Sequence, residues 1–215
     1  HFGAAVGSAN LLGLSAEQTA HALAFAAAYA SGLNNWTKGG MVKYIHAGKA
    51  ARAGVEAALL AAAGLTGPRQ IFEGKRGFCH AYAERYDLNV ITSGLGKEWK
   101  TVEVHLKPHC TSRHTQASVE AAASIAAEHN VSLEDIASIE IRTSPEMTEA
   151  LGTKTPVDVI EAQSSIPFAT ATGLFKGGSR TLKEFVLFED IKQAMGNPAV
   201  QSLLQRIQMH GDSAF

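Results

Sequence analysis

Cysteine is scarce in this chain: Cys79 and Cys110 are the only two among 215 residues. Two thiols cannot build a disulfide framework, and they suit a reducing compartment such as the cytoplasm. They also fall short of the ligand set of an iron–sulfur cluster. No charge of one sign is in surplus, since 19 Lys and Arg against 20 Asp and Glu leave a net charge of -1. That balance speaks against nucleic acid or an anionic membrane surface as partner. Long apolar runs are missing as well; the longest, around "ALAFAAAYASGL", is too short to span a bilayer. No secretory leader is visible, and the chain starts at His1 rather than at a methionine, so a fragment or a processed form is expected. Phosphate loop, dinucleotide fingerprint and nucleophile elbow are absent, and the glycine–lysine pair of "GLGKEWK" lacks the spacing of a phosphate loop.

What is present is 46% hydrophobic, enough for a substantial core. Residues 1–64 read as helical. "GLSAEQTAHALAFAAAYASG" opens with Ser15 and Gln18 in a capping-box pattern and is expected to close at Gly32. "LNNWTKGG" reads as a polar loop, and the helix after it runs to a C-cap at Gly64 with Pro68 beyond. Its many Ala and Gly residues allow close approach of neighbouring helices. After about residue 95 the period changes. "WKTVEVHLKPH" alternates Val102, Val104 and Leu106 with polar residues and predicts a strand with one wet face. "HTQASVEAAASIAAEHN" predicts a helix, "IASIEIRTS" a second strand, and "EAQSSIPFATATGLFKGG" a helix from about Ser165 with Pro167 in its first turn. "FEDIKQAMGNPAVQSLLQRIQM" predicts two short helices split at Gly196–Pro198. The fold class is therefore mainly α: an all-helical domain over 1–96 followed by a smaller α+β domain over 97–215.

Two clusters could carry chemistry. Lys43, His46, Lys49 and Arg52 are spaced by three at the head of an alanine-rich helix. Cations are disfavoured there, because unpaired amides already give a helix N-terminus partial positive charge. A solvated helix end is one reading. The other is an anion site, to which Lys38 and the backbone amides of "TKGGM" would contribute. The second cluster is "HLKPHCTSRH", His105 to His114. A zinc site on His109, Cys110 and His114 is disfavoured, since adjacent ligands seldom bind one tetrahedral ion and Lys107 and Arg113 would add positive charge beside it. The alternative is a metal-free polar loop in which Lys107, Arg113 and His114 face a cleft. Two cationic clusters on two domains suggest a polycarboxylate held between them. Glu56 and Glu120, in alanine-rich helices, read as solvated or structurally paired carboxylates.

These segments carry a resemblance. "FGAAVGSANLLGLSAEQTAHALAFAAAYASG", "KYIHAGKAARAGVEAALLAAAGLTGP", "LKPHCTSRHTQASVEAA" and "EAQSSIPFATATGLFKGG" resemble the MmgE/PrpD family along nearly the whole chain. The resemblance implies a helical domain joined to a lid domain, no metal or other cofactor, and a homodimer acting on a small polycarboxylate. The family's reactions include 2-methylcitrate dehydration, cis-aconitate decarboxylation and iminodisuccinate epimerisation. A 2-methylcitrate dehydratase-like lyase is the expected function, with the other two reactions, or a non-catalytic fragment needing a separate N-terminal half, as alternatives. Carried over by position, Lys43 and His46 match the family's lysine and histidine at the helix start and Lys107 its lid lysine, while the lid histidine falls on His114 or, without gaps, on Gln116. His109 and Cys110 stand where Tyr or Phe, then Pro, is expected. The resemblance assigns catalysis to His46, Lys107 and His114, and substrate binding to Lys43, Lys49 and Arg113. It also implies a longer polypeptide, of which this would be the C-terminal part, so that enzymatic activity of the chain alone is left open.

Overall fold

Alanine and glycine set the architecture of the first hundred residues. In the computed structural model, which describes residues 1–33, 38–177 and 186–215, helices α1 (Phe2–Leu11), α2 (Ala16–Tyr29) and α3 (Val42–Ala62) pack together. The buried side chains between them include Ala5, Ala9, Ala22, Ala26, Ala57, Ala58 and Ala61. Side chains ending at Cβ let the backbones come close, and at Gly54 even a methyl group is too much. A Cβ there would lie 2.5 Å from Ala4 Cβ and 2.5 Å from the His1 carbonyl oxygen. Ser15 caps α2 as predicted: its hydroxyl accepts the Gln18 N–H at 3.2 Å and Gln18 Oε1 accepts the Ser15 N–H at 3.0 Å. The helix stops at Tyr29, short of the expected Gly32. Gly64 ends α3 as predicted, with φ at +91° and the Leu65 N–H reaching back to the Leu60 carbonyl at 3.1 Å. Half of the predicted loop "LNNWTKGG", Asn34 to Thr37, lies outside the described residues.

Two short helices follow, α4 (Phe78–Tyr82) and α5 (Asn89–Thr92). Phe2 packs on Phe72 and Phe78 with ring centroids 5.2 and 5.0 Å apart, so aromatics close one end of this unit. His1–Leu33 and Val42–Val104 form this first compact unit.

The predicted strand over 101–106 does not form. Lys100–Glu103 is a 3-10 turn, and the backbone after it is irregular. Val102, Val104 and Leu106, the supposed buried face, are 86%, 66% and 92% exposed. Alternation makes a strand only where a ladder partner and a surface to cover exist, and among the described residues this segment has neither. Lys100 instead bonds locally, to Glu103 at 2.9 Å.

The second unit comprises His105–Phe215 with the described residues of Asn34–Met41. Its elements are α6 (Gln116–Glu128), β1 (Ile139–Thr143), α7 (Pro145–Leu151), α8 (Val159–Ser164), α9 (Ile166–Gly177), α10 (Phe188–Ala194), α11 (Pro198–Arg206) and β2 (Ile207–Gly211). β1 is the predicted strand. β2 is a correction, because the apolar spacing of Leu203, Leu204 and Ile207 reads as a continuing helix. The chain turns extended at Ile207 and pairs in parallel with β1, from Ile139↔Ile207 to Thr143↔Gly211. A partner strand more than sixty residues upstream overrides the local period. Arg206 pins the turn, donating to the Ile136 carbonyl at 2.6 Å.

α9 runs through the middle of this unit, with Pro167 in its first turn as predicted and residues 166–174 all buried. Its Phe168 and Leu174 pack in one core with Val119, Ile191, Val200, Leu203, Leu204 and Ile207, none more than 3% exposed. Among the described residues no helix is long and apolar enough to cross a membrane.

Candidate functional site

Each unit presents its own cations. On α3, Lys43 and His46 are half-buried, while Lys49 and Arg52 are exposed. Lys43 and His46, at i and i+3, share a helical face, whereas the nine residues to Arg52 turn it about half a revolution away from Lys43. Lys43 already makes an interaction within the protein, and Lys49 donates to Ser31 Oγ at 2.5 Å.

The glycines that precede this helix in sequence are committed elsewhere. Gly39 and Gly40 have φ of +94° and +84°, and the Gly40 N–H donates to Asp158 Oδ2 at 2.6 Å. A Cβ on Gly39 would stand 3.0 Å from the same oxygen. The anion met by the Gly40 amide is thus the protein's own carboxylate, which corrects the expectation that this amide awaits a ligand. Asp158 is also the N-cap of α8, its Oδ1 accepting the Glu161 N–H at 2.9 Å. The Glu161 amide first, then the Gly40 amide, hold its carboxyl below the usual carboxylate range against the opposing effect of burial.

In the second unit the loop 107–115 is knitted by side chains. Gln116 is its hub: Oε1 accepts the His109 N–H at 3.0 Å, while Nε2 donates to Thr111 Oγ1 at 2.9 Å and to the Ser112 carbonyl at 3.0 Å. Gln163 reaches across from α8 to the Cys110 carbonyl at 2.8 Å, and the Ser112 N–H returns to the Gln163 carbonyl at 2.8 Å. Gln116 is therefore spent on the loop backbone, leaving His114 as the available candidate for the lid histidine. His109 is 2% exposed, and both its ring nitrogens are used, one by Glu120 Oε1 at 2.8 Å and the other by the Val186 N–H at 3.1 Å. A histidine so engaged has no lone pair left for zinc, so this donor set does not fit that metal. Among the described residues no group of three His, Cys, Asp or Glu is placed to hold a metal ion. Glu120 is thus structurally paired, as is Glu56, whose carboxylate accepts from the Tyr29 hydroxyl at 3.3 Å.

The cations of this loop point outward. Lys107, Arg113 and His114 are all exposed, and Lys107 Nζ donates to the Thr111 carbonyl at 3.2 Å. Of the three, His114 lines an open cavity of about 420 Å³ beside α6, β1 and α9. Ser118, Glu140, Arg142, Thr143 and Thr170 supply its other polar wall, and Ile141 and Phe215 part of its apolar one. Arg142 has no signal in the sequence, where it is one of several polar residues on an alternating strand. Gln163 and Asp158 were equally hidden, since their partners lie 53 and 118 residues away.

Comparison with known proteins accounts for both units. The MmgE/PrpD N-terminal domain matches residues 1–91 and the MmgE/PrpD C-terminal domain residues 109–215. A human cis-aconitate decarboxylase is 27% identical over 96% of this chain and 42% of its own length. The cis-aconitate decarboxylase of Aspergillus terreus is 25% identical over 98% of this chain and 45% of its own. A cis-aconitate decarboxylase-like protein of Aspergillus oryzae is 34% identical over 55% of this chain and 26% of its own. The chain thus spans less than half the length of these relatives. It carries matches to both domains of one family, and it belongs to the MmgE/PrpD family.

Proposed function

We propose that this chain is part of a lyase acting on a small polycarboxylate, with decarboxylation of a cis-aconitate-like substrate as its reaction. The carrying observation is the loop 107–115, whose backbone is fixed from within while Lys107, Arg113 and His114 stay exposed. A loop fixed in this way presents Arg113 and His114 without spending them on its own structure, and the exposed Lys107 keeps one contact, to the Thr111 carbonyl. Membership of a family whose matched relatives are named cis-aconitate decarboxylases favours decarboxylation over the 2-methylcitrate dehydration expected from sequence.

In this reading Lys107 and Arg113 bind substrate carboxylates, Lys107 also stabilising the charge that develops during reaction, and Lys43 and Lys49 offer a carboxylate-binding surface of their own on α3. Cleavage of a C–C bond releases CO₂ and leaves its electron pair on carbon, conjugated with a neighbouring carboxylate. Cations stabilise that enediolate-like charge, and an imidazolium returns a proton to carbon. His46 and His114 are the two candidates for this proton. Dehydration would use the same groups in a different order: a base removes a proton α to a carboxylate, and hydroxide leaves as water.

The test is an assay of the purified protein with cis-aconitate and with 2-methylcitrate, following CO₂ release and loss of water separately. CO₂ from cis-aconitate, lost in His46→Ala or His114→Ala, is the expected outcome. Water loss from 2-methylcitrate without CO₂ from cis-aconitate would replace decarboxylation by dehydration. Failure of the protein to act on or bind either acid would remove the polycarboxylate reading.

A further inference from the structure

Besides its links to Gln163, the loop that carries Lys107, Arg113 and His114 is joined to the rest of its unit through one buried imidazole. His109 is 2% exposed in surroundings that give its ring fixed partners. The Val186 amide can only donate, so the nitrogen 3.1 Å from it, Nδ1, must carry a lone pair. Nε2 then carries the hydrogen, and it lies 2.8 Å from Glu120 Oε1, an acceptor. The two partners therefore select one neutral tautomer. They also tie the loop to two places, the adjoining α6 through Glu120 and, 77 residues further along the chain, Val186. The backbone repeats the link, the Cys110 N–H donating to the Val186 carbonyl at 2.8 Å.

We propose that His109 and Glu120 are positioning residues: a tautomer-fixed clip that holds the 107–115 loop in its ligand-binding shape before the ligand arrives. The inference rests on the polycarboxylate reading above and adds to it how the loop is preorganised. Neither residue touches the ligand in this account. Glu120 orients the imidazole, the imidazole holds the loop, and the loop presents its cations without the ordering cost that a mobile loop would carry into binding.

The experiment uses the 215-residue chain with cis-aconitate as probe. Nitrogen-15 spectra of the wild type should show His109 as the Nε2–H tautomer, with the Val186 amide protected from exchange. Glu120→Ala should weaken cis-aconitate binding on the order of tenfold, the scale of removing an outer partner of a functional group. Glu120→Gln, whose amide oxygen can still accept from Nε2–H, should restore most of it. A Nδ1–H tautomer in the wild type overturns the clip whatever the variants do. Equal affinity in wild type, Glu120→Ala and Glu120→Gln overturns the positioning role while leaving the polycarboxylate reading intact. A wild type with the expected tautomer that binds no cis-aconitate refutes that reading instead, and with it any ligand for the clip to serve.

Discussion

The two units of this chain solve the problem of a core in opposite ways. The first is built from side chains that stop at Cβ, with Ala5, Ala9, Ala22, Ala26, Ala57, Ala58 and Ala61 between three helices. The second fills its interior with Phe168, Leu174, Ile191, Leu203, Leu204 and Ile207, centred on one helix whose residues 166–174 are all buried. A small-residue core stabilises through close backbone approach, which brings many weak dispersion contacts into range. A large-residue core stabilises through apolar area removed from water. The first should therefore fail when atoms are added, the second when atoms are removed.

The largest effect is expected in the second unit. Phe168→Ala empties a fully buried position and should cost about 3–5 kcal/mol in chemical denaturation. A loss below about 1 kcal/mol would mean that α9 is not the centre of that core. In the first unit, Gly54→Ala tests the reverse sensitivity. On helix propensity alone the change should stabilise by about 1 kcal/mol. With Ala4 Cβ and the His1 carbonyl both 2.5 Å from the new methyl group, the clash should win, giving a net loss of about 1–3 kcal/mol. A stabilised Gly54→Ala protein would show that α1 and α3 do not approach so closely.

Asp158 gives the second unit a pH dependence. Its folded carboxyl titrates below its unfolded value, so its stabilisation is fully present above about pH 4. It is lost as pH falls through the lower folded value. Asp158→Ala should cost about 0.5–2 kcal/mol as a lost helix cap at neutral pH, and the difference from wild type should shrink on acidification. A difference that grows in acid would contradict the assignment. The smallest effect belongs to the exposed turn where a strand was expected. Lys100→Ala should change stability by no more than about 0.5 kcal/mol, because its ion pairs with Glu98 and Glu103 are exposed.

What the sequence disclosed follows from the range of the interactions. The Ser15–Gln18 capping box, the Gly64 C-cap and the proline in the first turn of α9 are local and were readable from a few adjacent residues. β2 and the failed strand at 101–106 depend on whether a distant partner exists, which alternation cannot reveal. The candidate site divides in the same way. Lys43, His46, Lys107 and His114 stand out by spacing and by resemblance, and the structure shows which unit and element bears each. The groups that shape their surroundings, Asp158, Gln163 and the His109–Glu120 pair, act over separations of 11 to 118 residues. Glu120 was legible only as a solvated or structurally paired carboxylate, and its partner was hidden.

The account turns on the 107–115 loop being a binding surface for polycarboxylates, and titration calorimetry with cis-aconitate on wild type and Lys107→Ala tests this most directly. The account predicts saturable binding that weakens as salt is added and drops about tenfold or more in Lys107→Ala, the size of one lost hydrogen bond to a charged group. Binding of equal strength in both proteins, unaffected by salt, would contradict it.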